Sequence, residues 1–333
     1  MGFGMDSFRA LRVHNEDKVI SARLEDITLD DLSEGNIVIR VEWSDINYKD
    51  ALAATGTSRI MRRFPMVGGI DLAGIVESSD DDAFPVGTRV AVVGAGLSED
   101  HDGGYTQLAR VRSDQVVKLP ESVDTRTAMA IGTAGFTAAL ALVRMEDNGQ
   151  NPGMGPILVN GATGGVGSVA LDIFSARGYE VVALTGKAES ADYLKSIGAS
   201  DIAIRGEMEM GSRPLERAQW GGGVDNLGGD VLSWMTRTTE PGGSVASIGL
   251  AASTELSTSV MPFILRGVNL LGINSVIMPS ERRQSVWDRI GEDLLPRHLD
   301  KIVTQEVDLD GLTGAFQAYI DGTVTGRTLV KIG

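Results

Sequence analysis

The sequence contains no cysteine. That absence removes disulfides, thiolate nucleophiles and cysteine-ligated zinc or iron–sulfur centres together. Histidine is nearly as scarce, with His14, His101 and His298 scattered along 333 residues. A metal site would have to be assembled from oxygen ligands, so none is expected. No run of about 18 apolar residues stands out as a bilayer span, and no membrane partner is expected. Met1 to Arg12 lacks the basic, apolar and small-residue sections of a secretory leader, which points to a cytoplasmic protein; Met5 is an alternative natural start. Basic residues are in deficit, 30 against 45 acidic, for a formal charge of −15. Affinity for a phosphate backbone comes from basic patches that release counterions, so a nucleic-acid partner is not expected either. Only seven of the basic residues are lysine. An acidic, lysine-poor surface would suit a salty cytosol, and ordinary solubility from net charge accounts for it equally well.

What the chain has in quantity is glycine, 42 residues of it. Single cores rarely grow beyond about 250–300 residues, so this length suggests two domains. From Phe8 to about Pro120, short apolar runs (Ile37–Val41, Gly74–Val76, Arg89–Val93, Gln115–Leu119) are broken by Gly, Asp and Pro, the pattern of an irregular, mostly β domain. Thr125–Arg144 turns Ala- and Leu-rich with helical spacing around a break at Gly132–Gly135, and a boundary is placed near there. Strand and helix patterns then alternate: Ile157–Val159, Gly165–Arg177, Glu180–Leu184, Ala188–Ile197 and Asp201–Ile204. Further strands are read at Gly222–Asn226, Ser244–Ile248 and Leu270–Ile273. Such alternation implies an α/β, doubly wound parallel sheet. Helical stretches at Ser280–Leu294 and Leu312–Gly322 and a strand at Arg327–Ile332 complete the chain.

The most informative segment runs from Pro156 to Ser168, a buried strand entering a glycine cluster that opens a helix. Gly161, Gly164 and Gly167 give the spacing GxxGxxG, which lets the backbone turn tightly and approach a pyrophosphate held by free N–H groups at the helix start. Gly164, Gly165, Val166, Gly167 and Ser168 are therefore candidate dinucleotide-binding residues. At the end of the second strand an NAD site usually carries an acid for the ribose 2′-hydroxyl; here Thr185, Gly186 and Lys187 stand instead, with Ser190 beyond. A 2′-phosphate would be attracted to Lys187 and could accept hydrogen bonds from Thr185 and Ser190, so NADPH is favoured over NADH. A solvated loop lysine is the alternative for Lys187.

In the first domain, Trp43-Ser44-Asp45-Ile46-Asn47-Tyr48-Lys49-Asp50 places an amide, a phenol, a cation and a carboxylate at four consecutive positions. Such a group could hold a substrate carbonyl and supply a proton after hydride transfer. Taken alone, it reads as readily as a half-buried Tyr48 beside a Lys49–Asp50 surface ion pair.

Taken with Arg63-Phe-Pro-Met-Val-Gly68-Gly-Ile-Asp71-Leu-Ala-Gly74, Gly103-Gly-Tyr105, Ala130-Ile-Gly132-Thr133-Ala-Gly135-Phe-Thr137, the glycine loop and Met261-Pro-Phe263-Ile264-Leu-Arg266-Gly, the set closely resembles the zinc-free quinone-oxidoreductase branch of the medium-chain dehydrogenase/reductase superfamily, in its acrylyl-CoA reductase subgroup. The resemblance spans about Phe8 to Ile332. It implies a GroES-like, partly open β-barrel domain (1–124 plus 276–333) and an inserted Rossmann domain (125–275), with the active site in the cleft between them. It further implies that Thr133 lies near the nicotinamide, that Asn47, Tyr48 and Asp50 are catalytic, and that Thr185, Gly186, Lys187, Ser190 and Arg205 hold the adenosine phosphate. Leu250, Ile264, Ser275 and Arg327 would close over the cofactor. The chain departs from the zinc-binding members by lacking all their cysteines, and from the subgroup by carrying Asn274 where Gly-Ile/Val-Asp-Ser is frequent.

Without a metal, the hydride acceptor should be activated by conjugation. The expected reaction is NADPH-dependent reduction of acrylyl-CoA to propanoyl-CoA, with Tyr48 or an ordered water protonating the enolate and Asn47 positioning the carbonyl or the ribose. NADPH:quinone reduction is the second reading, and cofactor binding without turnover the third. The apolar run Val268–Ile277 beside the last strand suggests a homodimer.

Overall fold

The structure, a computed structural model, describes residues 7–333; the expectations placed on Met1–Asp6, including Met5 as a start, lie outside the described residues. The chain divides into two units: residues 1–133, 275–292 and 303–333 form the first, and residues 134–274 and 293–302 the second.

The first unit opens with a hairpin that the sequence pattern does not announce, β1 (Phe8–Glu16) and β2 (Val19–Ile27). Its turn residues Asp17 and Lys18 both adopt positive φ, 52° and 69°. Two-residue hairpin turns of this kind favour Asn-Gly or Asp-Gly, so Asp-Lys gives no signal. β3 (Ile37–Ile46), α1 (Tyr48–Thr55), β4 (Met66–Val67), β5 (Asp71–Ser79), β6 (Arg89–Val93), β7 (Leu108–Val111) and β8 (Val117–Lys118) follow. β2, β1 and β4 make a small sheet; the larger sheet runs β15-β16-β3-β5-β6-β8 with β7 on β3, where β15 (Val303–Asp308) and β16 (Arg327–Lys331) return from the end of the chain. Inward residues such as Leu11, Ile37, Ile39, Ile46, Leu72 and Val92 are fully buried, because alternate strand positions point to one face. α1 begins at a capping box: the Asn47 side chain faces the Asp50 backbone while the Asp50 carboxylate accepts from the Asn47 amide at 2.8 Å. It ends at Gly56 in the left-handed region, φ 72°. Two later helices, α7 (Ser280–Glu292) and α9 (Leu312–Ile320), also belong to this unit.

Helix α2 (Thr125–Asp147) is broken once, at Gly132 (φ 53°, ψ −163°). By length and composition it is the one helix among the described residues that could cross a membrane, which corrects the expectation that no stretch has that character. The apolar window is 89% buried inside the protein.

The second unit is a six-stranded parallel sheet in the order β11-β10-β9-β12-β13-β14, built from β9 (Ile157–Asn160), β10 (Val181–Thr185), β11 (Asp201–Ile204), β12 (Trp220–Asp225), β13 (Thr239–Ser247) and β14 (Asn269–Gly272). The strands alternate with α3 (Gly165–Ala176), α4 (Ala191–Ser196), α5 (Gly229–Thr238) and α6 (Met261–Arg266). Strand order reverses between β9 and β12, the switch point at which open α/β sheets bind ligands. The short α8 (Leu299–Ile302) joins this unit through His298, whose ring and backbone N–H both meet the buried Asp172 carboxylate of α3 at 2.9 and 2.8 Å.

Candidate active site

Four chain segments of the first unit bring their polar side chains to one buried spot. β3 ends in Ser44-Asp45-Ile46, β5 begins with Asp71, β16 begins with Arg327, and Gly132 marks the break in α2. Pairing of Thr328 with Ile46 sets Arg327 beside the β3 terminus. There the guanidinium, 2% exposed, meets Asp45 Oδ2 at 2.6 Å as an ion pair whose angles fall short of a hydrogen bond. It also donates to the Asn47 side-chain oxygen at 3.1 Å and the Ala130 carbonyl at 3.3 Å. Gly132 is required here twice, by its positive φ and because a Cβ would fall on the Asp45 carboxylate.

Both amide hydrogens of Asn47 are committed to acids, Asp45 Oδ1 at 2.6 Å and Asp71 Oδ2 at 2.8 Å. Asp71, fully buried, also accepts from Gly94 N at 3.0 Å, Thr133 N at 2.7 Å and the Thr133 hydroxyl at 2.5 Å. Asp50 accepts from the backbone amides of Asn47 and Ile70, each at 2.8 Å. Three buried carboxylates thus stand near one guanidinium, which pairs with Asp45. Burial drives the Asp50 carboxyl up to about 7, with the Asp71 charge adding to the rise against the opposing pull of the backbone donors. Burial likewise raises Asp45 well above the ordinary range, although Arg327 pulls the other way. The Tyr105 hydroxyl, raised by burial, donates to the Asp45 carbonyl at 3.0 Å.

Asn47 and Asp50 belong to the cluster as its frame: their polar atoms meet protein partners. Arg327 is the counter-charge of that frame. Lys49 does not pair with Asp50; its ammonium meets the Glu99 carboxylate. Of the Asn47–Asp50 motif only Tyr48 turns outward, 48% exposed, with no hydrogen-bond partner among the described residues. Asp45 and Asp71 were missed as site residues, and the available signal was an acid set within an apolar strand, which must be paired or hydrogen-bonded if buried.

In the second unit, β9 delivers Asn160 to the glycine loop. Its amide donates to Asp225 Oδ1 at 2.5 Å and its side-chain oxygen accepts from Asn226 N at 2.6 Å, tying the ends of β9 and β12 at the switch point. Gly161 has φ 58°. Gly167 must lack a Cβ, which would fall on the Gly161 carbonyl and 2.7 Å from Ala162 Cα. Gly164 caps α3 without a side chain, and the first-turn N–H groups of Gly165, Val166 and Gly167 have no protein acceptor among the described residues, as helix starts require. Open backbone donors at a helix start can hold an anion such as a pyrophosphate. Ser168 is the exception within it: its amide bonds the Gly164 carbonyl at 2.9 Å, and its buried hydroxyl donates to the Ala162 carbonyl at 3.2 Å and accepts from Tyr193 at 2.9 Å.

At the β10 terminus the Thr185 hydroxyl accepts from Lys187 N at 3.0 Å and Ser190 N bonds the Lys187 carbonyl at 3.1 Å. The Arg205 guanidinium lies 3.4 Å from where a Gly186 Cβ would stand. Thr185, Gly186, Lys187 and Ser190 therefore lie together after β10, with Arg205, which follows β11, beside Gly186. Leu250 and Ile264, 65% and 72% exposed, stand on separate segments of this unit. Thr133 and Ser275 belong to the first unit, where the Ser275 carbonyl accepts from Arg283 at 3.4 Å.

With this geometry in hand, comparison with known proteins is informative. Residues 33–121 match the alcohol dehydrogenase GroES-like domain and residues 165–292 the zinc-binding dehydrogenase domain. The chain is 45% identical over 328 residues to acrylyl-CoA reductase AcuI of Ruegeria pomeroyi, covering 98% of this chain and 99% of that one. It belongs to the medium-chain dehydrogenase/reductase family. The putative quinone oxidoreductase YhfP of Bacillus subtilis is 43% identical over 98% of this chain and 99% of its own; its structure with NAD bound superposes with a TM-score of 0.95. The yhdH oxidoreductase of Salmonella enterica in complex with NADP is 43% identical, covers 98% of this chain and 100% of that one, and has a TM-score of 0.94. Within this medium-chain family member, the GroES-like and Rossmann architecture is the one expected. The second family model takes its name from zinc; among the described residues no three His, Asp or Glu side chains converge as metal ligands.

Proposed function

We propose that this protein is an NADPH-dependent reductase of the C=C bond of a short α,β-unsaturated acyl-CoA, with acrylyl-CoA giving propanoyl-CoA. The observation that carries it is the pairing of a dinucleotide cradle, whose adenosine-side turn presents Lys187 and Arg205 and no strand-end acid, with a buried acid frame that leaves one phenol outward. The chemistry of the cradle fits NADPH: Gly167 and Gly186 admit close approach of phosphates, Gly165–Gly167 offer unpartnered N–H donors, and Lys187 and Arg205 complement a 2′-phosphate. When bound, NADPH supplies the hydride.

The alkene accepts hydride at its β-carbon because the thioester carbonyl withdraws electrons. The enolate so formed takes a proton at its α-carbon, and one hydride plus one proton balance the new C–H bonds. In this reading Tyr48 donates that proton. Asn47, Asp45, Asp71 and Arg327 hold Tyr48 in place and do no chemistry themselves, and Thr133, anchored through Asp71, borders the nicotinamide. Zinc takes no part, a reading supported by the absence of cysteine from the sequence. The proposal places the enzyme in the cytoplasm, as a homodimer joined through the β14 edge, where Leu270 and Leu271 are half-buried and Ile264 and Leu265 of α6 are exposed. Light scattering tests the dimer.

The experiment for the activity follows the NADPH absorbance band with acrylyl-CoA, alongside NADH and a benzoquinone. NADPH-selective consumption with acrylyl-CoA is expected. Consumption with the quinone alone would replace the acyl-CoA reading by quinone reduction.

A further inference from the structure

Resting on the acyl-CoA reading above, we propose that the loop 57–63 is the binding site for the phosphate groups of the coenzyme A substrate, through Arg59 and Arg62. In a chain of charge −15, this loop reads Thr-Ser-Arg-Ile-Met-Arg-Arg, three cations and no acid in seven residues. Its backbone is anchored. Met61 is buried in the core of the first unit, Ser58 N bonds the Leu52 carbonyl at 3.4 Å, and Arg62 N bonds the Glu99 carbonyl at 2.8 Å. The three arginine side chains are displayed outward by that anchoring.

Arg63 has a structural task, donating to the buried Asp102 carboxylate at 2.8 Å. Arg59 and Arg62 have neither hydrogen-bond nor ion-pair partners for their guanidinium groups among the described residues. The loop bonds residues 99, 100 and 102, all three of them acids. Glu99 is taken by Lys49 and Asp102 by Arg63, which leaves exposed Asp100 against two free guanidinium groups.

Placement relative to Tyr48 follows from one residue. Glu99 accepts from Arg62 through its backbone oxygen and pairs through its carboxylate with Lys49, the neighbour of Tyr48. The Arg62 backbone is thus linked through Glu99 to the residue that follows Tyr48 in the first turn of α1. A thioester held at Tyr48 trails a long pantetheine arm ending in phosphates, and planar guanidinium groups complement phosphate oxygens.

The test compares acrylyl-CoA with acrylyl-pantetheine, which keeps the thioester and lacks the phosphates, in wild type, the double variant Arg59→Ala/Arg62→Ala and the charge-preserving Arg59→Lys/Arg62→Lys. The alanine pair is expected to raise KM for acrylyl-CoA about tenfold. It should leave kcat, KM for acrylyl-pantetheine and KM for NADPH unchanged, and the lysine pair should recover most of the loss. An unchanged KM for acrylyl-CoA, or an equal rise for acrylyl-pantetheine, overturns the proposal; a rise in KM for NADPH would overturn it by assigning the arginines to the cofactor. Wild type that reduces acrylyl-CoA while the variants match it removes only the loop's role. Wild type that fails to reduce acrylyl-CoA removes the function reading, and this inference with it.

Discussion

The acid frame around Asp45, Asp50, Asp71 and Arg327 and the phosphate turn around Thr185, Gly186 and Arg205 use polar groups in opposite ways. In the frame, side-chain donors and acceptors are almost all matched to one another away from water. In the glycine loop, backbone donors are left open, and Arg205 beside the turn is exposed. A closed network holds geometry and is costly to break, because removing one partner strands the others; an open one binds and tolerates change. In the proposed mechanism the most polar part of the first unit is therefore scaffold, and the proton comes from Tyr48, the residue the network excludes.

Breaking the frame should have the largest effect. Arg327→Met removes the guanidinium at similar volume and leaves Asp45 buried without its counter-charge, an expected loss of about 3–5 kcal/mol in urea unfolding at neutral pH. The loss should shrink in acid, where Asp45 protonates. An unchanged midpoint would mean that the frame is not held electrostatically.

Tyr48→Phe sharpens the contrast from the other side. Turnover of acrylyl-CoA should fall about 100-fold, while stability stays within about 0.5 kcal/mol, as for an exposed residue with no partner. Full turnover by this variant would hand the proton to water. A smaller change is expected at the phosphate turn, where Lys187→Ala/Arg205→Ala should raise KM for NADPH about tenfold and leave KM for NADH unmoved; an equal change in both would detach these residues from the 2′-phosphate.

The pH dependence of stability tests the frame in a second way. The Asp50 carboxyl rises on folding from its ordinary 3.8 to about 7, so the folded state binds the proton more tightly than the unfolded one. Its contribution to stability is complete below about pH 4 and is lost as pH climbs through 7. Subtracting the stability of Asp50→Asn from that of wild type should give a difference that declines across this window. A flat difference would place the Asp50 carboxyl near its ordinary value.

The two regions also differ in how far the sequence reveals them. The glycine loop declares itself because strand, turn and helix start are local and each imposes a residue type. Thr185 and Lys187 follow from strand-end position. The frame is less legible, since its members come from residues 45–50, 71, 133 and 327, and hydrogen bonding across such separations leaves no periodic trace. Asn47 and Asp50 are recognisable as belonging to a site while their task is not: sequence reveals that a polar residue is placed, and only the partners reveal whether it is free. The β1–β2 hairpin escapes a reading of the sequence because Asp17-Lys18 lacks the glycine that usually marks such a turn. Strand β15 escapes it because its residues are largely exposed and carry little apolar alternation.

Reducing acrylyl-CoA with NADPH in heavy water, and locating the deuterium in the product, tests the division between hydride donor and proton donor directly. The expected product is propanoyl-CoA with one deuterium at the α-carbon, from a solvent-exchanged donor, and none at the β-carbon, which receives the hydride. No propanoyl-CoA, or deuterium at the β-carbon, would contradict that division.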